Sequence, residues 1–162
     1  MTAPELRLEQ IVTAATPRLT SISDADASRS RSEGKWSRKE IVGHLIDSAS
    51  NNHERFVRAC FSDHLICPTY DQDAWVRAQR YDKAPWRELL SLWSLFNLHL
   101  ARVMAAIPVE VRTLRRSRHN LHETAFRMIP SSEPATLEYF MDDYVDHLEH
   151  HLAQIFSVDA VR

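Results

Sequence analysis

Glycine is nearly absent from this 162-residue chain, which holds only Gly34 and Gly43. Tight turns and phosphate-cradling loops use glycine, so its scarcity argues against a β-rich protein or a nucleotide binder. Neither G-x-G-x-x-G nor G-x-x-x-x-G-K-[ST] occurs. Cysteine is equally scarce: Cys60 and Cys67 read as two reduced thiols in a chain long enough to bury a core without staples. Charge of one sign is lacking too. The formal net charge of -2 offers no broad basic field to nucleic acid or an anionic membrane. No apolar run approaches the ~20 residues of a membrane helix. The opening Met-Thr-Ala-Pro-Glu-Leu-Arg lacks the basic-then-apolar layout of a secretion signal. The expectation is a cytoplasmic protein with one domain over 1–162, acting on a small molecule rather than on nucleic acid or a membrane.

Helical periodicity is plentiful, and none of the chain shows sustained strand alternation. A first helix is predicted over 3–22, with Leu8, Ile11, Val12, Ala15 and Leu19 on one face and Pro17 as a kink point. The polar stretch 23–35 reads as a loop. Ser37 followed by Glu40 is a capping box with Trp36 as its staple, and it opens a second helix that runs to about Phe61. Ile41, Leu45, Ala49, Phe56 and Cys60 line that helix's apolar side, which makes Cys60 a packed thiol rather than a nucleophile. A long connection over 62–84 follows, and connections of that length are often functional. A third helix is predicted from Pro85 to Ile107, with Leu89, Trp93, Phe96, Leu100, Val103 and Ile107 as its stripe. The segment 109–134 is basic and polar and reads as a loop or short helix. Thr136 caps a fourth helix ending near Phe156. The fold class is therefore all-α, a four-helix bundle with a long crossover between the second and third helices.

Histidine is the residue in excess, with nine copies. Helical phase sorts the three on the last helix. Leu137, Phe140, Met141, Tyr144, Leu148, Leu152 and Ile155 define the buried stripe. His151 falls about 60° from its centre, His147 about 100° on the same side, and His150 about 160° away toward solvent. His147 and His151 are one turn apart, a spacing at which two imidazoles chelate one ion. On the second helix, His44 sits at the edge of the apolar stripe, beside a polar seam of Ser48, Asn51 and Arg55. Three neutral imidazoles suit zinc, nickel, iron or copper rather than magnesium or calcium, and they leave positions open for water or substrate. The remaining histidines read as surface or loop residues.

Around that core, Asp47 and Asp143 lie one turn from His44 and His147 and could accept from the ligands' outer N–H groups. Asn51, Arg55 and Asn97 could meet a polar substrate, with Arg55 suited to a carboxylate. Tyr70, Asp73 and Trp75 in the long connection could cover the cavity mouth, although core packing or loop anchoring is the simpler reading for Trp75. Three functional classes remain open on the residues alone: a metalloenzyme, a non-catalytic metal or small-molecule binder of the stress-response type, and a metal-free bundle.

Three segments resemble the DinB-like, or YfiT-like, metalloenzyme family: WSRKEIVGHLIDSASNNHERF (36–56), YDQDAWV (70–76) and TLEYFMDDYVDHLEHHLAQI (136–155). Residues 1–30 and 109–130 match only loosely. The resemblance implies a four-helix bundle with its metal ligands at His44, His147 and His151. It implies one divalent metal, usually zinc or nickel, and a homodimer. Characterised members of such a family include thiol-dependent transferases and isomerases that use low-molecular-weight thiols, which makes S-transfer the leading expectation; hydrolysis by a metal-bound hydroxide is the alternative that the site chemistry itself offers.

Overall fold

Ser37 and Glu40 form the capping box that their spacing predicts. The Glu40 N–H donates to Ser37 Oγ at 3.3 Å, and the Ser37 N–H donates to Glu40 Oε2 at 2.7 Å. The box opens the second of four long helices in the computed structural model, which describes residues 2–30 and 32–157. These four are α1 (Pro4–Thr20), α3 (Arg38–Ala59), α5 (Trp86–Ala106) and α8 (Leu137–Phe156). Shorter helices fill the connections: α2 (Asp24–Ser28), α4 (Gln72–Gln79), α6 (Val109–Thr113) and α7 (Leu121–Thr124), with a 3-10 turn at Tyr81–Lys83. No strand forms among the described residues.

Caps explain where the long helices start. Thr136 Oγ1 accepts the Tyr139 N–H at 3.1 Å and opens α8. α5 has only Pro85 at its own cap position, and its free Trp86 N–H is taken instead by Asp24 Oδ1 of α2 at 2.9 Å. The stretch around α2 reads as loop from its polarity, yet Ser23 accepts the Asp26 N–H and closes a turn there. Five residues are too few to show a helical period, so the signal is the cap alone.

α1 packs on α5 and α8, and so does α3. The helix pairs that follow one another along the chain, α1 with α3 and α5 with α8, therefore lie on the diagonals of the bundle. The buried stripes meet at Leu8, Val12 and Leu19 of α1, Ile41, Leu45 and Phe56 of α3, and Phe140, Tyr144, Leu148 and Ile155 of α8. Each such side chain stabilises the fold by about 1.5–3 kcal/mol through burial. On α5 the buried side runs through Leu90, Trp93, Asn97, Leu100 and Met104, whereas Phe96 and Val103 are half-buried. The α5 stripe is thus turned slightly from the predicted one. α5, with 21 residues, is also long and apolar enough to match a membrane crossing by composition, contrary to the run-length reading. Here its Trp93 and Leu100 side is buried in the bundle.

The two long connections are laced together beside the α3–α8 pair. Leu65 N–H donates to the Arg118 carbonyl at 2.9 Å, and Asn120 exchanges side-chain hydrogen bonds with both backbone groups of Cys67 at 2.8 and 2.9 Å. Arg116, buried, donates to the carbonyls of Ala59 and Ser62 and caps the end of α3 with a positive charge. His119, a loop residue by sequence, is buried too: its ring accepts the Leu121 N–H and meets the Glu133 carbonyl at 2.6 Å. Cys60 and Cys67 are both free thiols, and burial pushes both above the usual thiol range.

Candidate metal centre

α3 and α8 run side by side, and the two histidines selected by helical phase, His147 and His151, meet His44 of the α3 polar seam between them. His44 Nε2 lies 3.2 Å from His147 Nε2, which lies 3.1 Å from His151 Nε2. The three ligand atoms all fall within 4.8 Å of one another. His44 is 1% exposed, while His147 and His151 are half-buried. His150 points outward, against Gln154 and the Phe126 ring. The phase argument therefore separates neighbours in the chain correctly.

The donor set fits a cation on its own chemistry. His151 Nδ1 lies 3.0 Å from Gln154 Oε1, an oxygen that can only accept, so the Nδ1 carries the proton. His147 Nδ1 faces Ser48 Oγ at 3.5 Å. Gln154 thus favours the Nδ1–H tautomer of His151, and Ser48 can accept from an Nδ1–H of His147; in those forms the Nε2 lone pairs of both rings are directed at one place, beside Nε2 of His44. Two nitrogens bound tetrahedrally to one ion at the usual 2.0–2.1 Å stand about 3.3 Å apart, close to the spacing found here. Burial, with His151 nearby, lowers the pKa of His44 to about 3. Burial, with His151, His44 and His150 adding to it, lowers that of His147 to about 2. Both rings are therefore neutral near pH 7, the form that binds metal.

The proposed supporting carboxylates act differently from expectation. Asp47 does not reach an imidazole. Its Oδ1 accepts from Tyr81 Oη and from Gln79 Nε2, both at 2.7 Å, so it pins the end of α4 and the turn that follows. Burial raises its pKa against the pull of those two hydrogen bonds. Asp143 accepts the backbone N–H groups of Phe126 at 2.9 Å and Arg127 at 2.6 Å. It thereby fixes the loop that lays the Phe126 ring on His147, with centroids 5.5 Å apart. Its pKa is raised by burial, partly offset by those N–H groups. The direct supports of the imidazoles are Ser48 and Gln154, one turn on from His44 and His151 respectively, a spacing that could have found both. Trp36, the staple residue, covers His44 with ring centroids 5.1 Å apart.

A cleft of about 430 Å³ opens onto His44 and His147, and Arg55, Tyr70 and Asn52 also line it. Burial raises the Tyr70 phenol to about 12, so it stays protonated. A second opening of about 400 Å³ reaches the site from the side of His151, Trp36 and Asp73. Three expected substrate contacts lie elsewhere. Asn97 is 0% exposed and is held by Tyr144 and the Trp93 carbonyl across the core. Asn51 donates to the Asp47 carbonyl and lines a separate cleft near Cys67. Trp75, 40% exposed and so not a core residue, sets its ring tilted against Tyr70 with centroids 4.8 Å apart and lines neither opening.

Fold and donor set together define a helical-bundle protein with a candidate site for one divalent metal ion. Residues 7–155 match the family model of the DinB superfamily, and the chain belongs to that superfamily. A protein of Oceanobacillus iheyensis named "Putative metal-dependent hydrolase OB0413" is 23% identical over 137 residues, covering 85% of this chain and 72% of the relative. A protein of Halalkalibacterium halodurans, "Putative metal-dependent hydrolase BH0277", is 24% identical over 135 residues, covering 83% and 72%. Among solved structures, YfiT from Bacillus subtilis, described as "a probable metal-dependent hydrolase with an unusual four-helix bundle topology", superposes with a TM-score of 0.78. That match spans 97% of this chain and 84% of YfiT at 21% identity, and it shows the shared fold.

Proposed function

We propose that this protein is a metal-dependent hydrolase acting on a small molecule in the cleft beside His44 and His147. The observation that carries the reading is the convergence of three buried or half-buried Nε2 atoms, those of His44 and His147 beside that cleft and that of His151 beside the second opening. His44, His147 and His151 would hold the ion, with zinc or nickel as the metals the family resemblance favours. A divalent transition ion in such a site lowers the pKa of a coordinated water toward neutrality and polarises a substrate oxygen. The chain's own residues do the rest. Gln154 favours the Nδ1–H tautomer of His151, Ser48 faces the outer nitrogen of His147, and Trp36 and Phe126 pack on His44 and His147. Tyr70, protonated, can donate a hydrogen bond to a substrate oxygen from the cleft wall.

Transfer of a low-molecular-weight thiol is the second reading, carried by the family resemblance, and the names of the relatives favour hydrolysis over it. Metal-loaded protein assayed on a panel of esters and amides, with and without added thiols, tests both. Thiol-independent turnover that disappears in His147→Ala supports the hydrolase. Turnover that requires a thiol moves the assignment to transfer, and turnover that survives His147→Ala contradicts both.

A further inference from the structure

Arg55 is 7% exposed, and its hydrogen-bond partners are neutral oxygens. Nη2 donates to the Pro68 carbonyl at 2.7 Å and Nη1 reaches Asn52 Oδ1 at 3.5 Å, while Nε is buried without a partner. Other buried cations of this chain are better matched. Lys39 pairs with Asp24, half-buried Arg112 pairs with Glu5 and Glu138, and Arg116, held by neutral carbonyls too, donates from all three of its nitrogens. A guanidinium carries five N–H donors and keeps its charge, so burying one without a counter-ion is costly.

Arg55 lines the same cleft as His44 and His147. Its guanidinium sits over the Phe140 ring, 5.8 Å from the centroid, and Phe140 lies two turns before His147 on α8. At 1.5 Å per residue, Phe140 and His147 stand roughly 10 Å apart along α8, which sets the scale of the span from the guanidinium to the imidazoles. The acids nearby are otherwise occupied: Glu54, the exposed chain neighbour whose charge acts weakly on Arg55, is ion-paired with Arg58 at 2.7 Å. Asp143 holds the Phe126–Arg127 backbone, Asp71 caps α4 through the Ala74 N–H, and Glu123 is exposed beside His122.

We propose that Arg55 is the anchor for an oxyanion, a carboxylate or a phosphate, on the end of the substrate remote from the histidines. The substrate class is then an extended anionic molecule whose reacting group lies roughly 10 Å from its charged end. The spacing rests on the metal reading above; the anion anchor does not.

Cobalt-loaded protein supplies the test through its visible absorption, which shifts when a hydroxamate binds the metal. Three probes are titrated: the monohydroxamate of adipic acid, the same molecule with its carboxylate turned into a primary amide, and the analogue with a phosphonate there. One or both anions should bind about tenfold tighter than the amide, and the tighter of the two names the anion. Arg55→Met should abolish the preference, weakening the anions far more than the amide, while Arg55→Lys should keep part of it. Equal binding of all three probes to the wild type overturns the proposal without need of a variant. So does an equal loss for all probes in Arg55→Met. Calorimetry of adipate against adipamide on metal-free protein separates the two claims. Arg55-dependent adipate binding in a protein that takes up no cobalt contradicts the metal reading and keeps the anion anchor. Adipate binding no better than adipamide there counts against the anchor itself.

Discussion

His150 and His151 are adjacent in the chain, and a 100° step on one helix gives them opposite roles. His151→Ala should weaken metal binding at least about a hundredfold, as loss of one of three ligands would, while His150→Ala should change it less than about threefold. Titration of each variant with zinc against a chelating indicator checks this; similar losses in both would place the ligand set wrongly. Titration of the same rings also sets an acid limit on the fold. In the folded, metal-free chain the pKa of His44 falls to about 3 and that of His147 to about 2. Both titrate near 6.5 when unfolded, so the unfolded chain binds more protons below that pH. The stability these rings contribute is therefore complete above about pH 6.5 and is lost progressively as pH falls. The raised pKa values of Asp47 and Asp143 act in the opposite sense, favouring the fold at low pH, but within the carboxylate range. Melting temperature with a chelator present should thus fall between about pH 6.5 and 5, and His147→Gln should make that slope shallower. Gly43 is a third residue whose identity is now explained. A β-carbon there would overlap the Tyr81 ring, which Asp47 holds in place one turn along the same helix. Gly43→Ala should cost about 2 kcal/mol or more despite Ala's better helix propensity, read as a lower urea midpoint.

The four long helices were legible from spacing because each repeats its apolar positions over about 20 residues. The capping box at Ser37 was legible as well, and Ser37→Ala should lower stability by about 1 kcal/mol, a shift of about 2–4 °C in melting temperature for a domain of this size. Short α2 was not legible as a helix, and of α6 and α7 the sequence allowed only an unplaced short helix within 109–134, since four or five residues carry no period. The same scale explains why Asp47 and Asp143 were read wrongly. Their helical phase beside the histidines is real, yet each meets an arriving loop whose position no local pattern encodes. Asp143→Ala should release the loop at Phe126 and Arg127 and raise its backbone hydrogen exchange. Metal stoichiometry should stay at one, because no ligand hydrogen bonds to Asp143. Loss of metal in that variant would make Asp143 part of the site itself.

At the scale of the whole molecule, the decisive fact is that α3 and α8 pack against each other although 77 residues separate Ala59 from Leu137 in numbering. Periodicity predicts four helices but not which pairs touch, and so it places His44 near His147 only through resemblance to the family. The diagonal arrangement of successive helices supplies the physical reason, since it leaves α3 and α8 as neighbours with the laced connections walling the cleft beside them. Arg55 gained its meaning at this scale as well: the seam on one helix could suggest it, but the lack of a counter-ion is visible only once every connection is in place. The central claim is that one divalent transition metal ion is held by His44, His147 and His151. Elemental analysis of protein purified without an affinity tag, before and after reconstitution with zinc or nickel, tests it most directly. The account predicts one equivalent per chain in the wild type and in His150→Ala, and much less than one in His44→Ala, His147→Ala and His151→Ala. A wild-type protein that retains no stoichiometric metal after reconstitution, or a triple variant of those three histidines that still does, would contradict it.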